Sequence, residues 1–446
     1  MLLKMTTLGW LAGLGLVLAL FFPIWWLVLY DLCTAFVFGG WSISFLRLGP
    51  DDVKVAMIAL ALVLRARLRR DGQKLPLFWP WALLTLLFCL SYLNAPINQR
   101  NLTDPIRITY QLGRYCIRPL IYLPLIMLLI RSAHRTYAVM NAVIVAGIVC
   151  SLPAIAQGYS GISSTAGPFR TGNQLGGVLV MPMLIAMSGV VLPRSRGHWI
   201  LSFVGFGLMT RAMLFSASRG AMVAAVGGAL VYGAILLLRP LGRRRLRYLA
   251  PLGGLALLAA LPFLPMVLAK PTIAHAMSAA DGSKASTMQW RMQERWPHFW
   301  GIALDNPLVG IGTSVDLSLG DKANTPHNGF LSLLVEYGFP AFFLILFFAG
   351  RVIWNGLLLY RRAPDPDHRI FGVTCAAAVA GILTHQLVEV TMTAPFTFKL
   401  FWILVGTSEL AKRWPNESPR LEIGQSSAES PSAIGGRGDA VLRPAA

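Results

Sequence analysis

The chain has 446 residues, of which 55% are hydrophobic and only 13% charged, with a mean hydropathy of +0.61. An ordinary soluble domain carries about 25% charged residues, and here apolar runs of about 18 or more residues recur along most of the length, which excludes a soluble domain and predicts a polytopic helical membrane protein. The short alternating segments of a spanning β-barrel are missing, and the formal net charge of +20 reads as basic cytoplasmic loops rather than a nucleic-acid surface.

Residues 8–38 form an apolar segment with Pro23 in its middle, read as one long broken span or as a tight hairpin. It lacks a small-residue cleavage site and is followed by further spans, so it is not read as a cleavable signal. Spans follow at residues 53–64, 76–93, 110–130, 137–156, 172–192, 199–215, 221–238 and 248–269. A long loop covers residues 270–326, and the last spans are expected at 328–360, 371–390 and 396–411. Residues 1–413 thus make a transmembrane domain, in which 270–327 is an extracytoplasmic loop, and the Ser/Pro/Gly-rich residues 414–446 make a cytoplasmic tail expected to be disordered. The fold class is all-α, with about twelve spans.

Basic clusters begin at Arg65, Arg131, Arg194, Arg239, Arg361 and Lys412, and they alternate with weakly charged connections. The positive-inside rule puts the basic set in the cytoplasm. The opposite face then receives residues 157–171, the tight connection SASRGA at 216–221, and the nearly neutral loop 270–326. The five cysteines, Cys33, Cys89, Cys116, Cys150 and Cys375, lie in apolar stretches, without metal-ligand spacing or a disulfide framework.

This topology gathers Arg170, Arg219, Arg291 and His327 on the extracytoplasmic face. Arginines there run against the positive-inside bias, and a guanidinium fork suits phosphate oxygens. Each alone is accounted for by snorkelling or by a carboxylate partner. Arg219 has little freedom to snorkel, because SASRGA wedges it between two spans. Residues 288–304 read as an interfacial amphipathic helix, with Met288, Met292, Trp296, Phe299 and Ala303 on one face and Arg291, Arg295 and His298 on a neighbouring one. DNPLVGIG, from Asp305, is a turn cluster expected to shape a cavity floor. His327 opens the next span, where Asn328 can satisfy free backbone amides and a histidine near solvent can act as a general base. Glu336 follows about two and a half turns later and could hydrogen-bond a cavity arginine. Arg114 and Arg118, one turn apart, either line a lipid-phosphate groove or, for Arg118, snorkel to the cytoplasm. His385 and Glu389 are expected on one face of a late span, with Glu389 paired to Lys399.

SASRGA at Ser216, the Arg/Trp segment at Arg291, DNPLVGIG at Asp305, HNGFLSLLVEYGFP at His327 and GPFRTGNQLGG at Gly167 together resemble the bacterial O-antigen ligase and polysaccharide polymerase superfamily. The resemblance implies a GT-C-type glycosyltransferase of the bacterial inner membrane, inverting and free of metal or other cofactor, with its site facing the periplasm. It implies a glycan on undecaprenyl pyrophosphate as donor. A ligase would take a lipid A core as acceptor, a polymerase the growing carrier-linked glycan. By motif, Arg219 and Arg291 would contact the pyrophosphate, Arg170 would support it, and His327 would activate the acceptor hydroxyl. The family spaces its Arg and Trp four apart, whereas Arg291 and Trp296 are five apart, so Arg295 is a rival for that role. Arg114, Asn328 and Glu336 complete the expected substrate-binding set. A secondary transporter is the rival from another class, but its polar sites would lie near the bilayer midplane in repeated, broken helices.

Overall fold

A computed structural model describes residues 77–94, 123–124, 133–161, 165–169, 171–238, 291–312, 326–363, 365–390 and 395–412. The spans expected at 8–38, 53–64, 110–130 and 248–269, the tail 414–446, and the candidates Arg114 and Arg170 lie outside the described residues.

The described elements are all helical: α1 (Phe78–Asn94), α2 (Ala133–Tyr159), α3 (Gly172–Val191), α4 (Arg196–Ser216), α5 (Arg219–Leu238), a π turn (Arg291–Arg295), α6 (Trp296–Asp305), α7 (Gly329–Arg362), α8 (Pro366–Gln386) and α9 (Pro395–Ala411). Five of them, α2 to α5 and α7, are long and apolar enough to cross a membrane. α8 falls outside that set, yet 15 of its residues are buried. A helix sheathed by other helices need not be apolar enough to face lipid.

The helix boundaries follow from local chemistry. Thr171 caps α3 by accepting from the Gln174 N–H at 3.2 Å, and Ser195 caps α4 by accepting from the His198 N–H at 3.2 Å. α4 ends at Ala217, which takes the left-handed conformation at φ 55, and the Ser218 hydroxyl accepts from the Ala221 N–H at 3.4 Å to start α5. SASRGA is therefore a two-residue reversal between antiparallel helices, as expected. Asp365 caps α8, with Pro366 in the first helical position.

α8 runs through the middle and packs on α3, α5, α7 and α9. Its Ala/Gly-rich faces let backbones come close. A Cβ on Gly372 would lie 2.6 Å from the Gly356 carbonyl of α7, and one on Gly228 of α5 would lie 2.9 Å from the Ala377 carbonyl.

α7 is broken at Gly338, where φ is 77. Pro340 has no N–H to return to Glu336, so the break frees carbonyls that need partners. The turn cluster after α6 supplies them. The Ile311 N–H donates to Val335 at 2.9 Å and the Gly312 N–H to Glu336 at 3.0 Å, while the Phe339 N–H donates to Pro307 at 2.8 Å. α1 pins this arrangement: the Ser91 hydroxyl donates to the Glu336 carbonyl at 2.5 Å, and the Asn94 amide to the Gly310 carbonyl at 2.7 Å. DNPLVGIG thus plugs a broken helix.

At one end of the bundle the basic connections meet. Arg194 donates to Asp367 at 2.6 Å and lies 3.2 Å over the Tyr137 ring, joining the starts of α2, α4 and α8. The starts of α3, α5 and α7 and the end of α8 meet at the other.

Candidate functional site

The short turn that leaves α8, residues 387–389, is where the second end converges. The Asn328 amide of α7 donates to the Leu387 carbonyl at 3.3 Å, and its Oδ1 accepts from the Leu331 N–H at 3.1 Å, so this one side chain caps α7 and ties it to the turn. Gly329 leaves room for the Gln386 side chain, with which a Cβ there would collide. From α5, Gly220 packs against Val388 with no room for a Cβ, which places the neighbouring Arg219 beside the turn. Arg219 is the first residue of α5 and is exposed. From the π turn, Arg291 donates to the Val388 carbonyl at 3.4 Å.

His327 and Glu389 complete the set. His327 Nδ1 lies 3.1 Å from Glu389 Oε1, and the Asn173 amide of α3 donates to the other carboxylate oxygen at 2.8 Å. Burial pushes the Glu389 carboxyl upward, but the His327 hydrogen bond and charge, the Val390 N–H and Arg291 together bring it below the ordinary carboxylate value. An ionised carboxylate only accepts hydrogen bonds, so His327 Nδ1 is the donor, and in the neutral ring Nε2 is the nitrogen that carries the lone pair. His327 itself has φ 48, a left-handed conformation that aims the ring back at Glu389 instead of along α7.

Arg291 carries a further signal. Its Nε is buried and has no hydrogen-bond partner among the described residues. Arg295 is only 8% exposed, and burial first, then repulsion from Arg291, lowers its pKa, with Glu389 opposing. The Arg291 and Arg295 guanidinium groups thus repel one another in a partly desolvated place, and Glu389 offsets part of that repulsion.

The Arg/Trp segment departs from the expected single α-helix. A π turn pairs residue i with i+5, so Arg291 and Trp296, five apart, align as residues four apart do in an α-helix. The extra residue also shifts the phase. Met292 and His298 are exposed, while Arg295, Phe299 and Ala303 are buried, so the two faces predicted from simple helical spacing are replaced by one mixed stripe. The Trp296 indole N–H donates to the Pro326 carbonyl at 3.1 Å, fastening this arm to the residue before His327.

His327, Asn328, Arg291, Arg295 and Arg219 are therefore brought to one end of the bundle. Glu336 stands apart, beside the break in α7, where its carboxylate accepts from the Ser332 hydroxyl at 2.6 Å. α8 ends at Gln386, yet the Glu389 N–H still donates to the His385 carbonyl at 3.0 Å, so the two residues stay one turn apart while the Glu389 carboxylate reaches His327. Glu389 and Asn173 were missed as site residues. The signal for Glu389 was an ionisable side chain at the end of an otherwise apolar run, HQLVEV.

A helical membrane protein with a histidine–carboxylate pair and clustered arginines at one end of its bundle defines the class. Residues 204–346 match the family model described as O-antigen ligase, which supports a place in the O-antigen ligase and polymerase superfamily. The match spans SASRGA, the Arg/Trp arm, the plug and His327. The family indicates activity of the O-antigen ligase or polymerase type, on lipid-linked glycan. No curated protein matches the chain.

Proposed function

We propose that the protein is an inverting, metal-independent glycosyltransferase of the bacterial inner membrane. It moves a glycan from undecaprenyl pyrophosphate to a lipid A core acceptor at the periplasmic face. The observation that carries this reading is the His327–Glu389 pair beside Arg291, whose buried Nε has no partner among the described residues.

In this mechanism the acceptor hydroxyl oxygen attacks the anomeric carbon of the donor's first sugar from the face opposite the leaving group. The new C–O bond forms as the bond from that carbon to the phosphate oxygen breaks. The hydroxyl proton passes to His327 Nε2, and the imidazolium is stabilised by Glu389 through Nδ1. The electron pair leaves with the pyrophosphate, whose growing charge is met by Arg291, with Arg219 and Arg295 beside it. Arg170 and Arg114 are proposed as further donor contacts and Glu336 as a positioning group. The donor arrives already activated, because nucleotide sugars are not supplied outside the cytoplasm. The remaining choice between ligase and polymerase is a choice of acceptor.

Replacing His327 tests the reading. A positioned base contributes about a hundred- to ten-thousand-fold in rate, so His327→Asn should lose transfer on that scale while donor affinity stays near wild type. Asparagine tolerates the left-handed backbone at this position, which keeps strain out of the comparison. Transfer rate per folded molecule and donor affinity should be measured in parallel. A near-normal rate removes His327 from the chemistry.

A further inference from the structure

At the end of the bundle away from His327, α7 and α9 meet around one carboxylate. Glu409, near the end of α9, is only 1% exposed. Arg351 of α7 donates to its Oε1 through Nε at 3.0 Å and through Nη2 at 2.8 Å, and the Asn355 amide donates to the same oxygen at 2.7 Å. The Lys412 ammonium donates to Oε2. Glu409 thus ties the two helices together, but it is one anion between two cations. Asp365 and Asp367, which follow α7 at this end, are engaged by His368 at 2.7 Å and by Arg194 at 2.6 Å. Among the described residues the cluster therefore keeps one positive charge in excess.

The two cations are not sealed in. The Arg351 and Lys412 side chains are 29% and 32% exposed. Beside them runs a bare strip of α7, where the exposed Phe343, Phe347 and Trp354 fall on one face at helical spacing. Arg351 stands four residues after Phe347 and three before Trp354, so its stem borders the same strip. α7 is long and apolar enough to cross a membrane, which turns this strip to hydrocarbon, and tryptophan is the side chain favoured where hydrocarbon meets headgroups. Hydrocarbon along the strip and a single negative charge at its end describe an anionic phospholipid. A second copy of the chain, related by a twofold axis along the membrane normal, would set two positive clusters face to face at the same depth.

We propose that Arg351 and Lys412 hold the phosphate of an anionic phospholipid in the leaflet at this end, with its acyl chain along Phe343, Phe347 and Trp354. The guanidinium fork and the ammonium both suit phosphate oxygens. The one negative charge of a phosphatidylglycerol headgroup matches the one positive charge in excess. Phosphatidylcholine carries its own quaternary ammonium, which the same cations repel. The lipid buttresses the contact between α7 and α9, at the far end of the helix that His327 opens. The proposal is independent of the transfer reaction and of its donor.

Photolabelling tests the site. The full-length protein is placed in phosphatidylcholine nanodiscs that contain a small fraction of phosphatidylglycerol with a diazirine on its acyl chain. Label should map to residues 343–354, and unlabelled phosphatidylglycerol should displace it where the same amount of phosphatidylcholine does not. Lys412→Gln removes one cation and leaves Arg351 on Glu409, so it should weaken phosphatidylglycerol binding about fivefold. Trp354→Ala, at an exposed position, should lower labelling too and is the readout if the glutamine variant fails to fold. Arg351 is left in place, because its loss would take a partner from the buried Glu409 charge. Equal displacement by the two lipids overturns the proposal and marks a bulk-lipid position. Unchanged binding by Lys412→Gln overturns it by putting the headgroup elsewhere, and so does a lack of label at 343–354. A dimer that Trp354→Ala dissociates would make a second copy of the chain the occupant instead.

Discussion

Glu389 holds its charge against burial because three elements reach it at once: His327 at the start of α7, Asn173 in α3, and Arg291 from the π turn. A carboxyl whose pKa is lower folded than unfolded stabilises the fold above its unfolded value, about 4.3 for glutamate, and that contribution is lost as pH falls through the lower folded value. Wild type should therefore melt above Glu389→Gln near pH 6, and the gap should close on acidification below about pH 4. A gap that persists at pH 3 would mean that the carboxylate charge is not what binds the site together. The arginines and His327 were legible in the sequence, because cations in the connections between the basic loops stand out against the alternation of charge. Glu389 was not, because HQLVEV continues an apolar run and gives no sign that the helix ends at Gln386. Its partner His327 lies 62 residues away, beyond the reach of any local pattern.

Among the elements, the most informative are the two that depart from regular helix. Helix existence and the cap at Asn328 were legible, since they rest on side-chain types at fixed offsets. The π turn was not, because its extra residue per turn leaves an apolar spacing that still looks α-helical. The plug was only half legible. DNPLVGIG reads as a turn, but its partner is a break marked by Gly338 and Pro340, some thirty residues on by sequence position. Both Gly310 and Gly338 have positive φ, and a Cβ on Gly338 would lie 2.6 Å from backbone atoms of Leu308. Gly338→Ala combines about 1–2 kcal/mol of backbone strain with that collision, so it should lower melting temperature and folded yield clearly. Gly350→Ala in the same helix, where a Cβ meets nothing within 4 Å, is the control and should be neutral or slightly stabilising. Equal behaviour of the two variants would show that the close packing at the break carries no energetic weight.

At the scale of the whole molecule, alternation of charge was the legible feature. The loops containing Arg194 and Asp367 do meet, and the outward arginines and His327 gather at the opposite end. How α8 sits among its neighbours was not legible, because its low hydropathy hides a helix whose burial comes from small residues. The sidedness has a direct test. In a background freed of native cysteines, Ser160→Cys lies at the His327 end and Gly197→Cys at the Arg194 end, and both positions are exposed. An impermeant thiol reagent should label the first in intact spheroplasts and the second only after lysis. Labelling of Gly197→Cys in sealed cells would invert the protein and put the site in the cytoplasm.

The first segment of α7, residues 329–337, is secured at both ends, by Asn328 on the α8 turn and by the plug on the carbonyls of Val335 and Glu336. It is a strut about 13 Å long, at about 1.5 Å per residue. Most of its side chains are buried, which limits substitution, and its length is fixed outright. One inserted residue would turn His327 by about 100° relative to the break, so that either the ring leaves Glu389 or the plug leaves its carbonyls. Changes of length in this stretch should therefore be tolerated less than substitution at a half-buried position such as Phe330. Side chains are free to drift wherever they are not packed, while the number of residues between the histidine and the kink stays fixed.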